Sequence, residues 1–243
     1  MCIKYAFALL LCCLLPGLST ATSNVIALSA GPAWYRAGKT QTLSLQPQFA
    51  NTYKATTPDQ RLTSGELFLG LQRSFSNLGF GQLGVTIATS SAAKLRGHIW
   101  EAADPEFDNF TYQYTISHVH VAMKTKWLLN RWHDTVLPYV SASLGVALNK
   151  ASNFSMTPLI FESLTIPGFQ SNQNTALTYT LGLGVHIVLN AHWQLGIGYE
   201  LSDWGNASLR KAPGQTINSG LSLNALFTQQ LQFTLNYLFQ EHA

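Results

Sequence analysis

Leu231–Phe239 reads LQFTLNYLF. Leu231, Phe233, Leu235, Tyr237 and Phe239 occupy every second position; Gln232, Thr234 and Asn236 stand between them, and Leu238 is the one apolar residue on the polar side. A period of two is that of a strand with two unlike faces. It does not say which face is interior, because a half-buried strand of a sandwich alternates in the same way.

The rest of the chain decides. In WQLGIGYEL, Trp193, Leu195, Ile197, Tyr199 and Leu201 oppose Gln194, Gly196, Gly198 and Glu200. In LTYTLGLGVHIVL, Leu177, Tyr179, Leu181, Leu183, Val185, Ile187 and Leu189 oppose Thr178, Thr180, Gly182, Gly184 and His186. VSASLGVAL (140–148), GELFLGLQ (65–72), QLGVTIA (82–88) and VIALSAGPAW (25–34) repeat the pattern. If the bulky apolar residues faced an interior core, the opposite face would meet water and should carry Lys, Glu and Arg. It carries Gly, Ser, Thr, Ala and Gln. Such side chains suit the inside of a narrow barrel, and the bulky face then meets lipid.

Composition agrees. Charged residues are 10% of the chain, against about 25% in ordinary globular domains. The formal net charge is +3, and Lys and Arg form no long run; a nucleic-acid partner would need a concentrated basic patch. Met1–Ala21 has Lys4, an apolar run from Ala6 to Leu15, a Pro16-Gly17 break and small residues before a cut after Ala21. It reads as a secretory signal peptide, with 22–243 the mature chain. All three cysteines, Cys2, Cys12 and Cys13, fall in that segment. Acylation at Cys12 fits poorly, because Leu11 precedes it and the pair lies inside the apolar run. An exported chain without disulfides must rely on closed hydrogen bonding or a large core. No mature stretch has the length of apolar residues a membrane helix needs.

The connections alternate in length. Short links fall at Ser76–Gly79, Asn130–Thr135 and Asn190–His192; long ones lie near 36–61, 93–109, 150–175 and 203–226. The expected fold is all-β, an eight-stranded antiparallel up-and-down transmembrane β-barrel. Both termini sit on the short-turn side and the long loops on the other. Trp34, Tyr112, Tyr114 and Trp204 are expected to form an interfacial girdle near the long loops. Phe75, Phe80, Trp127, Trp132, Trp193 and Phe239 form its counterpart near the short ones. In FTYQYTISHVHVAMKTKWLL, Phe110–Ile116 and Val119–Trp127 are apolar on opposite parities, which predicts a bulge near Ser117-His118. Ten strands are the alternative, with Thr42–Phe49 and Gly220–Phe227 extending the sheet.

IALSAGPAWY, GELFLGLQRSF, WQLGIGYELSDWG and the closing LQFTLNYLF resemble the opacity-protein-like surface antigens of Gram-negative bacteria, akin in build to the Ail and OmpX barrels. The resemblance spans essentially the whole mature chain. It implies a bacterial outer-membrane location with periplasmic termini, lipid and lipopolysaccharide as neighbours, and recognition of the last strand by the barrel-assembly machinery. Phe239 matches the terminal aromatic residue of that family; the Gln240–Ala243 tail departs from it.

Inward parity places Glu66, Lys124, Lys126 and Glu200 in the lumen. Charges in so narrow a space must pair, so they form either a structural plug or the lining of a narrow pore. His118 and His120 share one face, yet a metal needs more ligands than two. Ser117-His118 and Ser202-Asp203 are nominal parts of a hydrolase acting on lipid A, but neighbours on a strand point to opposite faces. No catalytic, cofactor or metal site is therefore assigned. The long loops, rich in Asp, Asn, Pro and Ser with exposed Phe and Ile, are the candidates for an external ligand. The expected function is non-enzymatic: a barrel scaffold presenting loops for adhesion, surface interaction or envelope integrity. A narrow pore and a lipid A-modifying enzyme are the alternatives.

Overall fold

The computed structural model describes residues 22–240 apart from 36, 48, 57–59, 76–78, 130–134 and 161–166. The expected signal peptide, Trp132, His133 and residues 241–243 lie outside the described residues, as do most of the first two short links.

Thirteen strands are described: β1 Thr22–Tyr35, β2 Gln41–Gln46, β3 Phe49–Thr56, β4 Gln60–Ser74, β5 Gly79–Ser90, β6 Ala93–Trp100, β7 Asp108–Leu129, β8 Val136–Pro158, β9 Asn172–Val188, β10 Trp193–Asp203, β11 Ala207–Ser208, β12 Ser222–Leu223 and β13 Phe227–Gln240. The order β1-β4-β5-β7-β8-β9-β10-β13 closes on itself. β1 pairs with β13, from Ser23 opposite Gln240 to Tyr35 opposite Thr228, and β7 pairs with β8. The result is an antiparallel ring of about eight strands. Ring neighbours follow one another along the chain, and the other five strands belong to its long connections. The start of β1 and the end of β13 lie side by side. Their rim also holds the tight Leu189–His192 turn, where the Asn190 side chain accepts from the backbone N–H groups of His192 and Trp193.

The alternation of apolar and small polar residues holds around the ring. Leu28, Leu69, Ile87, Val121, Val146, Leu183, Ile197 and Phe233 are exposed on the outside, while Ser29, Thr86, Ser141, Thr180, Thr234 and Asn236 are buried inside. Large inward side chains are present too, each set beside a residue with almost none. A Cβ at Gly70 would come within 2.6 Å of the Phe68 ring, and one at Gly198 within 2.1 Å of the Tyr139 hydroxyl. The small residues of the lumen face make room for specific large ones, Gly70 for Phe68 on its own strand and Gly198 of β10 for Tyr139 reaching across β9 from β8.

β7 departs from expectation. No bulge interrupts it at Ser117-His118: its pairing with β8 runs unshifted from Thr115 opposite Ser152 to Leu128 opposite Tyr139. Even-numbered residues point inward along its whole length, from Phe110 to Leu128. Phe110, Tyr112, Tyr114 and Ile116 are therefore interior, as are Lys124 and Lys126. The apolar parity switches because the surroundings do. β5 flanks β7 only up to Val119; from Ile116 to Asp108 its partner is β6, with β3 and β2 continuing outward from β6. β7, β8 and these three strands thus rise beyond the ring as a ledge whose inner face packs on protein. The irregularity in β7–β8 lies higher, between Gln113 and Thr115, opposite Asn153, whose φ of 57° suits an Asn.

The long connections are strand-built. The 36–61 segment contains β2 and β3, 93–109 contains β6, and 203–226 contains β11 and β12. Of the two segments proposed as extra strands, Gln41–Gln46 extends the ledge, whereas Ser222–Leu223 pairs with β11 in a separate two-stranded sheet. Buried residues of these segments fill the mouth of the ring: Tyr53, Phe169, Trp204, Leu209, Leu221 and Leu226 pack with Tyr112, Tyr114 and Phe110 of β7. Tyr112, Tyr114 and Trp204 consequently do not belong to the girdle. At the opposite rim, Trp193 and Phe239 of the girdle expected near the short links form an exterior cluster with Tyr237, with ring centroids 4.7 and 4.6 Å from that of Tyr237. Phe75 stacks on Trp127 nearby, at 5.6 Å.

Leu183 is 62% exposed, opposite Val140 and Tyr199 on the ring exterior. Leu183→Arg is expected to destabilise the barrel in lipid vesicles by about 2–4 kcal/mol, read as a lower urea midpoint, with a smaller loss for the same change near a rim.

Candidate functional site

Inside the ring, β7 contributes one inward side chain every two residues, and these make a vertical column: Lys126, Lys124, Ala122, His120, His118. Neighbouring strands complete each level. The Lys124 ammonium lies 2.6 Å from Glu66 Oε1 on β4 and 2.6 Å from Glu200 Oε1 on β10. It donates to both, and Gln232 Nε2 of β13 donates to Glu200 Oε2 at 3.0 Å. All three charged side chains are nearly inaccessible, Lys124 at 1%. One cation held by two carboxylates from strands on different sides of the ring spans the lumen. Each ion alone would cost several kcal/mol to bury, so each depends on the others. Lys126 lies one level below, its ammonium 5.4 Å from the Phe68 ring centre and 5.5 Å from that of Tyr139. The four lumen charges expected from parity are thus all inside, and three of them form one bridge.

Above the bridge the column becomes a hydrogen-bonded chain with a defined direction. Asn149 Nδ2 donates to the carbonyls of Trp204 and Asn206, so its Oδ1 is the acceptor for His118 Nδ1–H, at 2.7 Å. His118 Nε2 then accepts from His120 Nδ1–H, at 2.8 Å. The Trp204 indole stacks on the His118 ring, with centroids 4.2 Å apart and planes 6° from parallel. Trp204 therefore joins the polar column to the apolar mouth, where Tyr53 packs against Phe169 at 5.3 Å and Tyr112 at 5.7 Å. Burial pushes the Tyr53 phenol up, so it enters this core uncharged.

The histidines thus make hydrogen bonds with each other and with Asn149. Among the described residues, no group of three or more His, Cys, Asp or Glu is placed to hold a metal ion. Ser117 faces outward and His118 inward, so the two do not meet. Ser202 lies inside, 2.9 Å from the Thr180 hydroxyl, while Asp203 accepts from the backbone N–H of Gly205. Sequence reasoning missed the roles of Asn149 and Trp204. Nothing local marks them, since their partners are remote in sequence; only the unbroken even parity of β7 offered a signal, by aligning His118 with Lys124.

A closed β-ring with an apolar exterior and a charge-bridged interior is the build of a membrane-spanning barrel. A family model described as outer membrane protein beta-barrel domain matches residues 11–239. The chain belongs to that family. None of the curated proteins matches it. Among solved structures, Neisserial surface protein A is similar at 12% identity and a TM-score of 0.42, covering 87% of this chain and 96% of that one. Ail, the attachment invasion locus protein of Yersinia pestis, is similar at 13% and 0.39, covering 91% and 100%. The outer membrane protease OmpT of Escherichia coli is similar at 10% and 0.42, covering 92% and 99%.

Lys124→Met leaves Glu66 and Glu200 buried without their cation, and is expected to cost about 3–5 kcal/mol. Adding Glu66→Gln and Glu200→Gln to that variant should restore most of the loss. Urea unfolding in lipid vesicles measures both.

Proposed function

We infer that this protein is a non-enzymatic surface scaffold of the bacterial outer membrane, with both termini in the periplasm and the β2-β3-β6 ledge and the 203–226 segment outside. The observation that carries this reading is the filled lumen: Lys124 bridges Glu66 and Glu200 across the axis, and Trp204 with its neighbours closes the mouth above. A bridge of buried ions needs its partners in place to exist at all, which favours a plug over a path for ions. Such an interior acts as a rigid post. The work then falls to the exterior and the external segments, as is common where a rigid framework carries long connections.

Lipid and lipopolysaccharide are the partners of the exposed apolar belt. The strand ending at Phe239 is the element offered to the barrel-assembly machinery; Phe239 lies outward at the rim shared by the chain ends. Ser117, His118, Ser202 and Asp203 serve structure in this reading, since none of them meets a nucleophile–base–acid arrangement.

In planar bilayers the wild-type protein is expected to give no stepwise conductance; discrete openings would overturn the plug. Shortening 203–226 to a tight turn is expected to abolish binding to any external surface the intact protein recognises. Lipid A analysed by mass spectrometry should be unchanged in mass whether or not the protein is present.

A further inference from the structure

Below the ion bridge the lumen holds polar groups that the bridge does not use. Lys126 is the next inward residue of β7 after Lys124 and is 2% exposed. Among the described residues no carboxylate is paired with it; the lumen's two carboxylates both meet Lys124. Its ladder neighbours are Gln82 of β5 and Ser141 of β8. The Tyr139 ring beside it also packs on the His186 ring, with centroids 4.6 Å apart. Asn236 Nδ2 donates to His186 Nδ1 at 3.3 Å, and Gln194 of β10 lies opposite Asn236. Lys126, Gln82, Ser141, His186, Gln194 and Asn236 thus belong to one region of the lower lumen.

Five atoms of this region are buried without a hydrogen-bond partner: Gln82 Oε1, Ser141 Oγ, His186 Nε2, Gln194 Oε1 and Asn236 Oδ1. Their residues are all more than nine-tenths buried. Buried polar groups in folded proteins are met by protein or by a bound molecule. The chemistry of the five says which molecule. Three are amide oxygens, which only accept, so the guest must donate. His186 Nδ1 accepts from Asn236, so Nε2 carries the ring proton and donates. The Lys126 ammonium has donors alone, so the guest must also accept. The guest is neutral, because Glu66 and Glu200 already balance Lys124 and Lys126, and a metal cation would stand beside an ammonium. A neutral molecule that donates, accepts and fits between side chains is water.

Both ends of the region are closed. The bridge of Lys124 with Glu66 and Glu200 lies above it. Toward the short-turn rim, Leu128 and Leu137 pack with Tyr139, Phe80 and Val188, and Val25 packs with Phe68 and Leu238. These side chains make an apolar floor. We propose that the lumen between bridge and floor is a closed chamber that binds a cluster of water molecules around Lys126. The water accepts from Lys126 and His186 and donates to Gln82, Gln194 and Asn236, with Ser141 able to do either. The barrel is therefore sealed twice below its mouth, by ions and then by apolar contacts, and is wet between the two seals. This goes beyond the plug inferred from the bridge: the interior is a stack of unlike layers, one of them hydrated, rather than protein throughout.

Residues 22–243 contain no cysteine, so Ser141→Cys places a single thiol in the chamber. The chain carrying it is folded in phosphatidylcholine nanodiscs and treated with a small water-soluble methanethiosulfonate. The thiol should stay unmodified in the otherwise wild-type chain and react to completion once Leu128→Ser/Leu137→Ser opens the floor. Reaction without those two changes would overturn the closure. No reaction with them, in a barrel that keeps its heat-modifiable mobility, would overturn the chamber. A second measurement needs no variant: magnetisation transferred from water in NMR spectra of the wild-type barrel should reach the side-chain amides of Gln82, Gln194 and Asn236 and miss the methyls of Leu128 and Leu137. Its absence at the three amides would overturn the bound water. A stoichiometric metal ion found by elemental analysis of the folded barrel would put a cation in its place and overturn it too. The surface-scaffold reading stands under all of these results, since it fails only on the conductance and lipid A measurements.

Discussion

Closure of the backbone ladder is the constraint on which everything else rests. Hydrocarbon offers no hydrogen bonds, so a strand in it must give every N–H and C=O a protein partner. The pairing of β1 with β13 supplies that for the first and last strands, and the β7–β8 ladder joins the two halves of the ring. An open edge at either place would leave a row of unpaired groups facing lipid. Closure also explains how the chain holds together without a disulfide among its described residues: the ladders tie each strand of the ring to two ring neighbours.

A ring this narrow has room for little, and that shapes its chemistry. Some of its glycines stand where a large side chain comes close, Gly70 beside Phe68 and Gly198 beside Tyr139. Its charges stand where opposite charge can reach them. Lys124 could not be buried at 1% exposure without both Glu66 and Glu200. The bridge joins β4, β7 and β10, so it also fixes the cross-section of the barrel. Above it, hydrogen bonds run from His120 through His118 and Asn149 to the backbone at Trp204 and Asn206. The mouth segment is thus tied to the inner wall of the ring at β7 and β8.

Above the belt the same strands obey the opposite rule. Where lipid surrounds the barrel, bulky apolar residues point out; where water surrounds the ledge, they point in. β7 shows both in one continuous strand, with Val119, Val121 and Met123 outside below and Phe110, Tyr112 and Tyr114 inside above. The outward faces of the strands beside that upper half are free to carry Lys94 and Arg96 of β6 and Lys150 of β8. A single strand thereby marks the level at which one solvent gives way to the other.

The parity of each segment was legible in the sequence because alternation is local: LQFTLNYLF, LTYTLGLGVHIVL and WQLGIGYEL each declare two faces without help from the rest of the chain. The scarcity of charge on the small-residue face told which side was interior, and Glu66, Lys124, Lys126 and Glu200 were placed inside on that basis. What the sequence could not show was any relation between strands. That Lys124 reaches Glu66 and Glu200, that Trp204 covers His118, and that β6 rather than β5 flanks the upper half of β7 all depend on register around a closed ring. The switch of apolar side in Phe110–Ile116 looked like a bulge because a one-residue slip and a change of surroundings leave the same trace in a sequence. Only the tertiary structure separates them, since only it shows what lies against each face.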